Sequence, residues 1–205
     1  MRSHTRPLVA AVAAGLVLAI AASTASAGRL RVSPTDLRII WPSLTFASAG
    51  GGLTCPVTMT GSFHSSTIAK TTNLIGHVTS AAAGTCQDAD HSMVFLDETL
   101  PWHLSYHGFT GTLPLILTLL VRMGGVSVQV SGEGIFCLFN TTSEPLRTYW
   151  ELSTRTGQLG GSLFEEGNEI DLDDEFLCGV GGDGTFVGAA RITSTSGALV
   201  FLRLI

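Results

Sequence analysis

Hydrophobic and polar positions alternate with a period of two along most of this chain. Leu53, Cys55, Val57 and Met59 alternate with Thr54, Thr58 and Thr60, the pattern of a strand with one buried and one wet face. Residues 75–80 follow a polar stretch around Lys70 and Asn73, so these two strands are expected to form a hairpin. Residues 91–98 and 102–109 predict the next pair, interrupted at Pro101. Residues 113–121 are apolar at nearly every position, which suits a strand buried on both faces. Gly124 and Gly125 then lead into Val126, Val128 and Val130 alternating with Ser127, Gln129 and Ser131, the clearest hairpin signal in the chain. Residues 135–140, 148–153 and 184–193 predict further strands. The last runs through Thr195, Ser196 and Gly197 into residues 199–205, whose two apolar faces predict a strand inside a sheet and not at its edge.

Helical spacing is nearly absent. Beyond the first 27 residues, no window longer than about ten residues places apolar positions at helical spacing with caps. One short helix is predicted at Ser33-Pro34-Thr35-Asp36, from a capping serine followed by a proline at the first helical position. About ten short strands joined by Gly-rich turns predict an all-β fold, either an antiparallel β-sandwich or a closed β-barrel. No linker divides the chain. The organisation read from it is a leader over residues 1–27, an N-terminal segment over 28–52 and a single β domain over 53–205.

The leader changes the compositional picture. Arg2, His4 and Arg6 precede an apolar run from Leu8 to Ala22, and Ala25-Ser-Ala27 completes a signal peptide with cleavage expected after Ala27. The run is shorter than the ~20 residues that span a bilayer, and no span is expected in the mature chain. Residues 1–27 hold two arginines and no acid, so the remaining 178 residues carry nine basic against 16 acidic groups, a charge near −7. Only 13% of the chain is charged, and 24 Thr with 19 Ser supply the polarity instead. That balance excludes a disordered tail, and the missing basic run excludes a nucleic-acid binder.

Cys55, Cys86, Cys137 and Cys178 all follow the leader. An even set in an oxidising compartment predicts two disulfides. Cys55–Cys86 and Cys137–Cys178 is the favoured pairing among three, because each bridge then stays within one half of the chain. No Cys-x-x-Cys pair supports zinc.

The order of leader, then Leu53-Thr-Cys-Pro-Val-Thr-Met-Thr-Gly-Ser-Phe63, then Leu100-Pro-Trp-His-Leu-Ser-Tyr-His-Gly-Phe-Thr-Gly-Thr-Leu-Pro114, then a late cysteine and a β-rich end resembles small exported proteins of unknown function from high-GC actinobacteria. The resemblance implies a bacterial secreted setting and brings no activity or site residues with it.

Candidate chemistry is sparse. The acidic run from Glu165 to Glu175 holds Asp171, Asp173 and Glu175 on one side of an extended segment, a possible calcium site. A solvated acidic loop competes with it, and the helix-loop-helix calcium spacing is absent. His103 and His107 share a face on a strand but stand about 13 Å apart, too far to chelate one metal. His64 and His77 form a possible cross-strand pair. Gly179-Val-Gly181-Gly-Asp-Gly184 matches the dinucleotide-binding letters but lacks the preceding parallel strand and following helix that the motif needs. Trp102 and Tyr106 are the candidate ligand-binding aromatics, with core packing as the competing use. No Gly-x-Ser-x-Gly elbow is present. These residues imply no cofactor and lean away from catalysis. The function read from them is a secreted or envelope protein with a binding or structural role and an extracellular or envelope partner. A lipocalin-like carrier of an apolar ligand and a secreted hydrolase are the alternatives.

Overall fold

The computed structural model describes residues 29–48, 51–69, 74–88, 90–112, 115–132, 135–142, 144–153, 156–164, 169–172 and 182–205. Among them lie fifteen strands: β1 (Arg29–Ser33), β2 (Asp36–Ser48), β3 (Gly51–Phe63), β4 (Thr67–Ala69), β5 (Leu74–Ala83), β6 (His91–Phe95), β7 (Trp102–Thr110), β8 (Thr118–Gly124), β9 (Ser127–Gly132), β10 (Ile135–Asn140), β11 (Leu146–Leu152), β12 (Leu159–Phe164), β13 (Glu169–Leu172), β14 (Gly184–Thr193) and β15 (Phe201–Leu204). A 3-10 turn over Asp97–Thr99 is the one helical element among the described residues.

Eight strands close into an antiparallel barrel. Their order is β12-β11-β8-β7-β5-β3-β2-β14, and β12 pairs back onto β14. Closure removes the exposed sheet edges that a sandwich of the same strands would leave. A second run, β13-β10-β9-β6, branches from β14 through Glu169–Thr185 and Ile170–Gly184. A separate three-stranded sheet has the order β15-β1-β4. β2 is a full barrel strand, flanked by β3 and β14.

Among the described residues, large apolar side chains occupy the barrel interior. Phe63 on β3 and Trp150 on β11 meet edge to face at 5.8 Å although three strands separate them around the wall, so they span the lumen. Trp41, Trp102 and Trp150 are wholly buried. Near the other end, Leu44, Met59, Leu146 and Phe186 come from four barrel strands and meet Phe95 and Val126. The gap between them is about 180 Å³ and too narrow for a water molecule. The short sheet belongs to the opposite end, where β1 enters β2 and β4 leaves β3, and it buries Leu30, Val32, Ile68 and Leu202 in the same core.

Several local expectations are corrected. β8 and β9 do not form a hairpin: β8 pairs with β7 and β11, whereas β9 pairs with β10 and β6. Gly125, at φ +84°, redirects the chain, and the Val126 carbonyl then accepts the Thr141 N–H while the Val126 N–H donates to the Thr141 hydroxyl at 2.9 Å. β6 likewise pairs with β9 and not with β7. The apolar stretch before Val121 is not a doubly buried strand. Leu115 and Leu117 are exposed in a tight connection where Leu117 N donates to Thr110 O, and the β8 ladder starts only at Thr118.

The terminal strand β15 lies at a sheet edge, not inside one. Residues 157–159 shield that edge through Leu202 N to Gly157 O, Leu159 N to Val200 O and a bridge between Gln158 and Phe201. No helix forms at Ser33–Asp36, because β1 runs to Ser33 and β2 starts at Asp36. Cys55 and Cys86 are bridged, as the sequence predicts. Cys178 lies outside the described residues, while Cys137 is nearly buried on β10.

Candidate functional site

The sequence-derived candidates do not come together. Trp102 is wholly buried against Phe95 at 5.4 Å and donates its indole N–H to Thr99 Oγ1. Tyr106, also buried, has its hydroxyl pushed above the ordinary phenol range by desolvation. Asp171 sits on β13 opposite Asn140 of β10. Asp173 and Glu175, the other two residues of the calcium set, lie outside the described residues, as does the first half of the glycine motif, residues 179–181. Among the described residues no group of three His, Cys, Asp or Glu side chains is placed to hold a metal. His91 Nδ1 meets Asp88 Oδ2 at 2.7 Å, a turn contact three residues apart. Among the described residues no serine hydroxyl bonds to this pair.

The outer wall of the barrel gathers what the sequence keeps apart. Cross-strand partners share a face, and the register sets Ser62 on β3, His77 on β5 and His103 on β7 in one row that ends at Gly124 of β8. His64 follows β3 directly, and its ring lies 4.9 Å from that of His77. The next row holds Ser105, Arg122 and Arg147 on β7, β8 and β11. His107 joins it, with Arg122 Nη2 reaching His107 Nε2 at 3.5 Å. Four of the six histidines thus share one wall with two arginines. The inward partners of this wall are apolar: Val78, Trp102, Leu104, Val121 and Met123.

Local backbone chemistry supports this arrangement. A Cβ on Gly61 would overlap the His77 carbonyl oxygen, and one on Gly76 would overlap that of Ser62. The two glycines therefore let β3 and β5 approach closely where His77 is set.

The wall is electropositive in an acidic protein. Glu144 pairs with Arg147 at 3.3 Å, across exposed side chains. Partial burial and then the charges of Arg122 and Arg147 hold the His107 imidazole below the usual histidine range. Arg122 Nε is buried and has no hydrogen-bond partner among the described residues. Sequence reading identified His64 with His77 and His103 with His107 as two separate pairs. Only the β5–β7 register joins them, and nothing in local periodicity reports that register. Arg122 and Arg147 carry no sequence signal of their own, being single charges on alternating strands.

No family model, curated protein or solved structure matches the chain.

Proposed function

We propose that this is an exported, disulfide-stapled β-barrel that works by binding a partner on its outer surface, neither carrying an apolar ligand inside nor catalysing. The observation that carries the reading is the contrast between lumen and wall. The lumen is packed by Trp41, Trp102 and Trp150, whereas four histidines and two arginines gather outside. A ligand-carrying cavity usually measures ~300–1,000 Å³, and the gap near Leu44 and Phe186 is well below that.

Export is supported by the N-terminal signal pattern ending at Ala27 and by the Cys55–Cys86 bridge, since disulfides persist in oxidising compartments. The finer proposal of a second bridge, Cys137–Cys178, follows from the even cysteine count. Peptide mapping without reduction checks it, and a thiol at Cys178 refutes it. Detection of a mature N-terminus at Gly28 in the culture medium checks export.

The binding role is tested by co-sedimenting purified protein with isolated envelope of the producing cell. The wild type is expected to sediment, and a His77→Gln/His103→Gln/Arg122→Gln variant to remain in solution. Equal sedimentation of both moves the binding face elsewhere, and failure of both to sediment overturns the reading.

A further inference from the structure

We infer that the outer wall of β3, β5, β7, β8 and β11 is a protonation-gated face for a phosphate-bearing anionic polymer. The inference rests on the surface-binding role proposed above and names the chemistry of the partner. Charge complementarity is its first support. The chain carries five more acidic than basic groups, yet this wall presents His64, His77, His103, His107, Arg122 and Arg147. Among the described residues, the carboxylates beside them are Glu144, held by Arg147, and Asp36 of β2, which continues the first row beyond Ser62 and is held by Thr195. Glu151 stands further along β11, beyond Tyr149.

Spacing supports a polymer over a small anion. The groups sit on successive strands, ~4.8 Å apart across the wall, and do not converge in a pocket. One phosphate meets two or three of them, whereas a chain of repeated charges meets the whole row. A membrane surface fits less well, because interfacial binding needs a buried apolar face. Among the described residues the wall offers exposed Leu74, and its other apolar groups, the half-buried Tyr149–Leu120 pair and exposed Leu115 and Leu117, lie beyond Arg122 and Arg147, away from the histidine row.

Gating follows from the residue type. Histidine gains charge between pH 8 and 5, so the wall has two fixed cations when neutral and as many as six when acidified. The His64 and His77 rings at 4.9 Å repel each other once both are charged. A bound polyanion relieves that repulsion, so protonation and binding reinforce each other. Desolvation, then the charges of Arg122 and Arg147, oppose protonation of His107.

The experiment titrates purified, oxidised protein with long-chain polyphosphate by fluorescence polarisation at pH 7.5 and pH 5.5, at fixed low salt. Affinity is expected to rise tenfold or more on acidification, which corresponds to an average uptake of about half a proton or more per binding event over the two pH units. His77→Gln/His103→Gln should lose most of that rise while keeping the wild-type melting temperature at pH 7.5. Arg38→Gln, on the exposed face of β2, should keep it. Equal affinity at the two pH values overturns the inference, as does a pH response untouched by the His77/His103 variant. Binding to vesicles containing phosphatidylglycerol but not to polyphosphate also overturns it. If envelope sedimentation depends on the wall while polyphosphate does not bind, the surface-binding role stands and the polymer assignment falls.

Discussion

Single residues show where electrostatics acts on this fold. Asp36 opens β2, and its carboxylate accepts both the backbone N–H and the hydroxyl of Thr195, in the turn between β14 and β15. Those hydrogen bonds hold Asp36 below the ordinary carboxylate range. A depressed carboxylate contributes stability that is present above the unfolded value and is lost as pH falls through the folded one. Asp36→Ala is therefore expected to cost about 1 kcal/mol at pH 7, modest because the site is solvated. Urea midpoints should show that difference shrinking as pH falls below the ordinary aspartate value of about 3.9.

His107 shifts stability with pH in the same direction, for a different reason: here desolvation and nearby arginines disfavour the charged form. Its folded value is depressed, so the unfolded chain takes up the proton first, and stability declines on acidification through the ordinary histidine range near 6.5. His107→Gln should flatten the slope of urea midpoint against pH between 7.5 and 5. The change should stay under about 1 kcal/mol because the side chain is exposed. At this scale the sequence was informative: alternation alone puts His103 and His107 on the face opposite Trp102, Leu104 and Tyr106, and the burial of β7 agrees.

At the scale of elements, period-two patterning locates strands well and their partners poorly. β3, β5, β7, β10, β11 and β14 all lie where alternation predicts them. Pairing depends on what the turns do. Gly124 and Gly125 look like a hairpin tip, yet Thr141, about fifteen residues on, captures Val126 and sends β9 to β10. The β14–β15 connection misleads in the same way. Ser194 accepts the Gly197 N–H and bonds Ala198 through backbone and hydroxyl, which turns the chain out of the barrel toward β1. These partners are distant in sequence or lie in backbone groups, so residue pattern cannot report them. The Cys55–Cys86 bridge is a long-range tie that was legible, because covalent chemistry depends on residue type. It anchors the segment leading to β6 onto β3, where Gln87 N also donates to Thr54 O. With the cysteines separated by 31 positions in sequence, Cys55→Ser/Cys86→Ser should lower stability by about 3–4 kcal/mol in the chain-entropy model. Denaturant titration of oxidised wild type against the variant checks it.

For the molecule as a whole, the question that composition left open, sandwich or barrel, is decided by one pairing, β12 to β14. Closure creates a lumen, and what fills the lumen separates a carrier from a surface binder. Three tryptophans spaced far apart in sequence are all buried there only because eight strands bring them inward, so the packing of the interior was not legible, although the residues that supply it were. Trp150 is the sharpest probe. It touches Phe63 across the lumen and donates its indole N–H to Thr148 Oγ1 at 3.2 Å. Trp150→Ala should cost about 3–5 kcal/mol, and Trp150→Leu less. An apolar cavity lined by core side chains stays dry and takes small apolar guests. Benzene should therefore raise the melting temperature of Trp150→Ala and leave that of the wild type unchanged. A comparable rise in the wild type would mean that the lumen already holds room for a ligand, and the carrier reading would displace the surface-binding one.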